Sequence, residues 1–247
     1  MKNYKITIEY DGGRYDGWQR AKGESDNTIE RKIMEVLKKM TGEDIALNVG
    51  LRTEKGVHSY GQVANFVTKE NYPCLDVLHY LNRYLPRDIA VTSVKEVPER
   101  FHASLNAKSK TYVYRLDCNE VPNVFERHYR YYVFKKLDVQ AMEEACKMIE
   151  GRHDFAKFSS AKRNKSNEKT VFSAKVVDDG CEMEIHITAN DFLHNMARFL
   201  FGCILEIGEH RMELGTLAKY FDPNSSEKPE VMADPCGMFL EQVSYEA

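Results

Sequence analysis

Between positions 51 and 58 the chain reads Leu51-Arg52-Thr53-Glu54-Lys55-Gly56-Val57-His58. A carboxylate stands in a glycine-bearing turn, with an arginine two residues before it and a lysine directly after. Such a carboxylate can attack carbon as a nucleophile or take a proton as a base, and a neighbouring cation keeps it ionised. A second arginine, Arg198, lies inside the strongly apolar stretch Phe192 to Ile207. A charge in such a helix needs a partner.

Basic residues gather in two further stretches. Residues 100–116 hold Arg100, Lys108, Lys110 and Arg115 with no acid, and residues 157–175 hold Lys157, Lys162, Arg163, Lys165, Lys169 and Lys175 against Glu168. On a chain of net charge −3 these either track a phosphate backbone or form solvated loop faces. The six cysteines form no C-x-x-C pair, so no metal or redox site is expected, and reduced thiols in a cytoplasm fit the spacing. No apolar run reaches the length of a membrane span, and the N-terminus reads as a strand without a signal-peptide core.

The elements that must position these residues follow from periodicity. Lys5 to Tyr10 alternates as a strand and closes at Asp11-Gly12-Gly13. Thr28 to Met40 has helical spacing, Gly61 to Thr68 reads as a strand, Val77 to Leu85 as a helix stopped by Pro86, and Ile89 to Val97 as a strand. Lys108 to Leu116 alternates again, Val139 to Ile149 is helical, and Val171–Val177 with Glu182–Thr188 form a hairpin around Asp178-Asp179-Gly180. Phe192 to Ile207 is expected as a helix capped by Asn190 or Asp191 and ended by Gly208, and Asp222 to Asp234 as a mobile surface loop. A chain of 247 residues with this order makes an α+β protein of two halves, 1–104 and 105–247, with the boundary near 98–110.

The run at 51–58, continued by Ser59-Tyr60-Gly61-Gln62-Val63-Ala64-Asn65-Phe66, resembles the catalytic signature of the tRNA pseudouridine synthase A (TruA-like) family. Tyr10-Asp11-Gly12, Gly17-Trp18-Gln19, Leu85-Pro86-x-Asp88-Ile89, Phe101-His102-Ala103, Lys110-x-Tyr112-x-Tyr114 and Gly151-x-His153-Asp154-Phe155 carry the same resemblance. So do Phe192 through Arg198 and Gly237-Met238-Phe239-Leu240. These motifs cover essentially the whole chain in the family's order.

The resemblance implies two ferredoxin-like halves sharing a mostly antiparallel sheet around a central RNA-binding cleft, the pseudouridine synthase fold. It implies isomerisation of uridine to pseudouridine in the anticodon stem-loop of tRNA, without metal or organic cofactor, by a cytoplasmic homodimer. By the same resemblance Glu54 takes the place of the nucleophile, Tyr112 packs against the uracil, and Arg198 is the carboxylate's basic partner. Arg52 helps displace the target nucleotide, and His58, His102 and Lys110 are RNA contacts or support them. Read without it, His58 and His194 are hydrogen-bonded structural histidines. The family has aspartate where this chain has Glu54, a glycine in place of Leu51, a small residue in place of Lys55 and an arginine in place of Ser104. Two readings follow: a synthase that works with a glutamate, or a paralogue that binds RNA or a protein through the same site.

Overall fold

The structure, a computed structural model, describes residues 1–20, 27–160 and 166–246. Lys162, Arg163 and Lys165 of the second basic stretch lie outside the described residues. In chain order the elements are β1 (Lys2–Tyr10), α1 (Ile29–Thr41), β2 (Asn48–Val49), β3 (His58–Thr68), α2 (Cys74–Tyr84), β4 (Ile89–Val97) and β5 (Ser109–Asp117). There follow β6 (Tyr131–Tyr132), α3 (Val139–Ile149), β7 (Gly151–Asp154), β8 (Glu168–Asp178), β9 (Glu182–Ala189), α4 (Met196–Gly208), α5 (Leu214–Phe221) and β10 (Met238–Ser244). Contacts divide the chain into a first unit, Met1–Lys108 with Phe239–Ala247, and a second, Ser109–Met238. The class is α+β. Among the described residues no helix is long and apolar enough to cross a membrane.

In the first unit β1 lies between β3 and β4 and is antiparallel to both. Two short partners share the far edge of β3. β2 is antiparallel to it at Ala64 and Asn65, and β10 is parallel to it at His58 and Ser59. The order β-α-β-β-α-β is that of a ferredoxin-like unit. Alternation on β1 turns Tyr4, Ile6, Ile8 and Tyr10 inward. They join Ile29, Ile33, Val36 and Leu37, which fall on one face of α1, and Val77 and Leu81 of α2. The Thr28 hydroxyl caps α1 by accepting from the Arg31 N–H at 3.3 Å, and Gly42 ends it in the left-handed region (φ 73°).

In the second unit β5 pairs with β9, β9 with β8 and β8 with β7, all antiparallel, while β6 runs parallel to β5. Strand, helix, hairpin, helix repeats the element order of the first unit. Tyr112, Tyr114 and Leu116 of β5 are buried, as are Met183, Ile185 and Ile187 of β9. Tyr114 stacks on Phe201 of α4 at 5.3 Å between ring centroids.

Three features differ from the sequence expectation. Helix α4 begins at Met196, with Asn195 at its N-cap in the left-handed region (φ 64°). Neither Asn190 nor Asp191 is available to cap: the Asn190 Oδ1 accepts the Thr170 N–H at 2.9 Å, and Asp191 faces Lys110 and Lys169. The segment 222–234 is irregular, but its end is packed. Ala233 exchanges hydrogen bonds with Arg198, and a Cβ on Gly202 would lie 2.5 Å from the Val231 carbonyl oxygen. Finally, β2, β6, β7, α5 and β10 are elements that periodicity alone does not mark.

All six cysteines are free thiols. Burial pushes Cys146 and Cys203 up to about 12, so neither is a nucleophile at neutral pH.

A buried amide relay holds the segment after β4. The Asn65 side chain donates to the Asn3 Oδ1 (2.9 Å) and accepts from the Ala103 N–H (2.8 Å), and the Asn3 amide donates to the carbonyls of Pro98 and Phe101. An Asn65→Ala substitution strands the buried Ala103 N–H. The expected loss is about 1–3 kcal/mol, read as a lower urea midpoint with an unchanged slope.

Candidate active site

The 51–58 segment forms a turn, not a regular element. The Glu54 carbonyl accepts from the Val57 N–H at 3.2 Å, and Gly56 has φ 80°. A positive φ at the third position is the requirement of a type II turn, which explains the glycine. Val57 and His58 are buried, Glu54 is half-buried, and Arg52 and Lys55 are exposed. Gln62 of β3 holds the approach to the turn, its amide donating to the Leu51 carbonyl (2.6 Å) and to the Tyr10 hydroxyl (3.2 Å). Tyr10 in turn meets the Thr53 hydroxyl at 2.8 Å. Burial pushes the Tyr10 phenol well above its ordinary range, so it stays a neutral hydrogen-bonding post.

The loop 11–18 lies directly against this turn. The Trp18 N–H donates to the Thr53 carbonyl (3.0 Å), and the Gly56 N–H points at the Tyr15 carbonyl (3.4 Å). Two glycines permit the approach. A Cβ on Gly12 would sit 1.9 Å from the Val57 carbonyl oxygen, and one on Gly17 (φ 91°) would sit 2.7 Å from the Thr53 carbonyl oxygen. On the other side Phe239 of β10 lies between the rings of His58 and Tyr60, 4.7 Å from each, and the Ser59 hydroxyl donates to the Leu240 carbonyl at 2.9 Å.

Charges around Glu54 are placed by partners the sequence does not name. Lys55 faces Asp16 at 2.9 Å, so its ammonium is paired with a carboxylate of loop 11–18. The half-buried Glu30 is pushed upward by burial, against the opposing pull of Gln19, Arg52 and Trp18. Arg52 thus lies within electrostatic reach of an acid at the start of α1.

His58 is only 1% exposed. Its Nδ1 is 3.1 Å from the Gly12 N–H and 3.0 Å from the Asp11 Oδ1. The two contacts are alternatives: a bare Nδ1 accepts from Gly12, and an Nδ1 that carries a proton donates to Asp11. His102 is half-buried, and its Nδ1 accepts from the N–H groups of Ser104 (3.2 Å) and Leu105 (3.4 Å). That assigns the ring proton to Nε2 and makes this histidine the organiser of its own turn.

The second unit holds Lys110, Tyr112 and Arg198. Tyr112 is 2% exposed, with Phe192 edge-on to its ring at 5.1 Å. Lys110, 4% exposed, forms an ion pair with Asp191, which also faces Lys169 at 3.3 Å. Burial works to raise the Asp191 carboxyl, but the two lysines outweigh it and hold the group below its usual value. Arg198 donates from Nε to the Ala233 carbonyl at 2.9 Å. One of its five donors is therefore spent on fixing the side chain.

Of the residues read from the sequence, the first unit contains Arg52, Glu54, His58 and His102, the first three within seven positions of one turn. The second unit contains Lys110 and Tyr112, two apart on β5, and Arg198 on α4. The residues that hold the turn, among them Gly12, Asp16, Gly17, Trp18 and Gln62, had no role assigned in advance. The glycines, Trp18 and Gln62 lay in quoted motifs, so the signal was present without its meaning. Asp191 and Phe192, the partners of Lys110 and Tyr112, were read as a helix cap and as part of a quoted motif at the start of an apolar helix, not as partners.

The family model for tRNA pseudouridine synthase matches residues 6–106 and 145–246. The chain belongs to this family. It is 42% identical over 246 residues to tRNA pseudouridine synthase A 2 of a Bacillus cereus strain, covering 99% of this chain and 100% of that protein. The protein of the same name from Bacillus anthracis is 41% identical and that from Clostridium perfringens 38%, with the same coverage.

Two outcomes follow. Gly12→Ala drives a Cβ into a backbone carbonyl, whereas Gly42→Ala meets no atom within 4 Å. Both change a glycine, but the first is expected to cost more than the roughly 1–2 kcal/mol of left-handed strain the second pays, measured side by side by urea denaturation. Second, because the folded-state value of Asp191 is depressed, its contribution is present above the unfolded value of about 3.9 and fades as pH falls through the folded one. The stability difference between wild type and Asp191→Asn should therefore shrink below about pH 4, as followed by urea midpoints from pH 7 to pH 3.

Proposed function

We propose that this protein isomerises uridine to pseudouridine in tRNA and that Glu54 is the reacting carboxylate. The observation that carries the reading is the turn itself. In a chain matched by the synthase family over most of its length, Arg52, Thr53, Gly56, Val57 and His58 surround Glu54 in a turn built to close tolerance. The pairing of Lys55 with Asp16 supports it further, since the lysine that follows Glu54 has a carboxylate partner in loop 11–18.

The reaction breaks the N1–C1′ glycosidic bond, turns the base, and forms a C5–C1′ bond. The C5 hydrogen leaves as a proton and N1 gains one, so nothing is added or oxidised, and the carboxylate acts as nucleophile or base at the sugar. The uridine must first leave its stack to be reached. On the family resemblance Arg52 assists that displacement, Tyr112 packs against the uracil and Arg198 balances the carboxylate's charge. Arg52 and His102, which reach solvent, suit direct RNA contact. His58 and Lys110, which are buried, suit support of the groups they hold. Homodimerisation, the anticodon stem-loop as target and a cytoplasmic location belong to the same reading. So do turnover without a cofactor and without a metal.

Tritium release from C5-labelled uridine in bulk tRNA tests the activity. The wild type should release label, and Glu54→Gln should lower the rate on the order of 10²-fold or more. Glu54→Asp withdraws the carboxylate by about 1.5 Å, one carbon–carbon bond, and should cost on the order of 10²-fold as well if the site is built for glutamate. Equal rates for wild type and Glu54→Gln would overturn the assignment, and silence from the wild type would overturn the activity.

A further inference from the structure

The geometry points to Asp88 as the positioning residue of the catalytic turn, fixing loop 11–18 so that the loop's backbone sets where Glu54 stands. The inference rests on Glu54 being the reacting carboxylate. Asp88 lies between α2 and β4 in Leu85-Pro86-x-Asp88-Ile89, a motif to which the chemistry above gives no task.

Asp88 holds the loop at three points. Its Oδ1 accepts from the Tyr15 hydroxyl at 2.7 Å, its Oδ2 from the Arg14 guanidinium at 2.5 Å, and its carbonyl from the Asp11 N–H at 3.0 Å. The Asp88 side chain is 12% exposed and that of Arg14 80%. An ion pair reaching so far into water is screened and holds little. The restraint therefore falls on the Tyr15 hydroxyl, whose residue is buried. Burial opposes the charge on Asp88, but the donors of Tyr15 and Arg14 prevail and keep the carboxyl below its ordinary value.

From Tyr15 the chain leads straight to the turn. The Tyr15 carbonyl faces the Gly56 N–H, Gly17 lies under Thr53 and Glu54, and Trp18 donates to Thr53. The Asp88 carboxylate spends these hydrogen bonds on the loop and not on residues 52–57. It acts through the loop, by position, and a displacement of about 1 Å at a reacting group costs on the order of 10²-fold in rate.

Trp18 is the only tryptophan in the chain and is fully buried, so its fluorescence reports the loop whatever the activity. The test compares the full-length wild type with Asp88→Ala, Tyr15→Phe, the double variant and Asp88→Asn, at a temperature where far-UV circular dichroism shows each folded. Asp88→Ala is expected to raise acrylamide quenching of Trp18 and lower kcat by about 10- to 100-fold, with the tRNA Kd unchanged within about twofold. Tyr15→Phe should reproduce most of both effects, and the double variant should add little, because one contact is being removed twice. Asp88→Asn keeps a carbonyl acceptor for Tyr15 and should recover most of the rate.

Quenching identical to wild type in Asp88→Ala would overturn the proposal. So would a loss of activity that appears wholly in Kd. If the wild type itself releases no tritium, the proposed activity fails, and the quenching comparison still decides whether Asp88 holds the loop.

Discussion

The first unit's share of the candidate site depends on one approach of backbone to backbone, loop 11–18 against residues 53–57. It is close enough to exclude a Cβ at Gly12 and at Gly17. Peptide groups do the holding, through Trp18 to Thr53 and Gly56 to Tyr15. A turn pinned by its main chain does not rely on the side chains of Glu54 and Arg52 for its shape. Glu54 and Arg52 are therefore carried on a rigid support. The same economy recurs in the second unit, where the backbone of Ala233 takes the Nε of Arg198.

Much of the fold was legible because it is local. β4 and α3 have the bounds that alternation and helical spacing set, since Pro98 and the Asp138 cap punctuate them. Helix α4 shows where local reading stops. Asn190 and Asp191 are good capping types, but each is drawn to a neighbour on another strand, and the helix waits for Asn195. β10 was visible only as the motif Gly237-Met238-Phe239-Leu240, because its parallel pairing with β3 involves residues far away in sequence.

The site was legible in type and not in partnership. A carboxylate in a turn beside an arginine stands out through its resemblance to a family's catalytic signature. That Lys55 turns to Asp16, that His58 is sealed under Gly12, and that Lys110 pairs with Asp191 are choices made by tertiary neighbours. Three cations of the sequence reading thus divide into different jobs. Arg52 remains exposed, while Lys55 and Lys110 each answer an acid of the protein.

The Ser59–Leu240 bond spans 181 positions. The first unit is therefore interrupted by the whole of the second, and the strand that seals the base of the turn is synthesised long after the turn. At about 5–20 residues per second, that interval is roughly ten to forty seconds on the ribosome. During it His58 and Tyr60 have no Phe239 to stack on, and their strand edge is open. The nascent chain thus carries all of its turn residues well before Phe239 and Leu240 can pack against them.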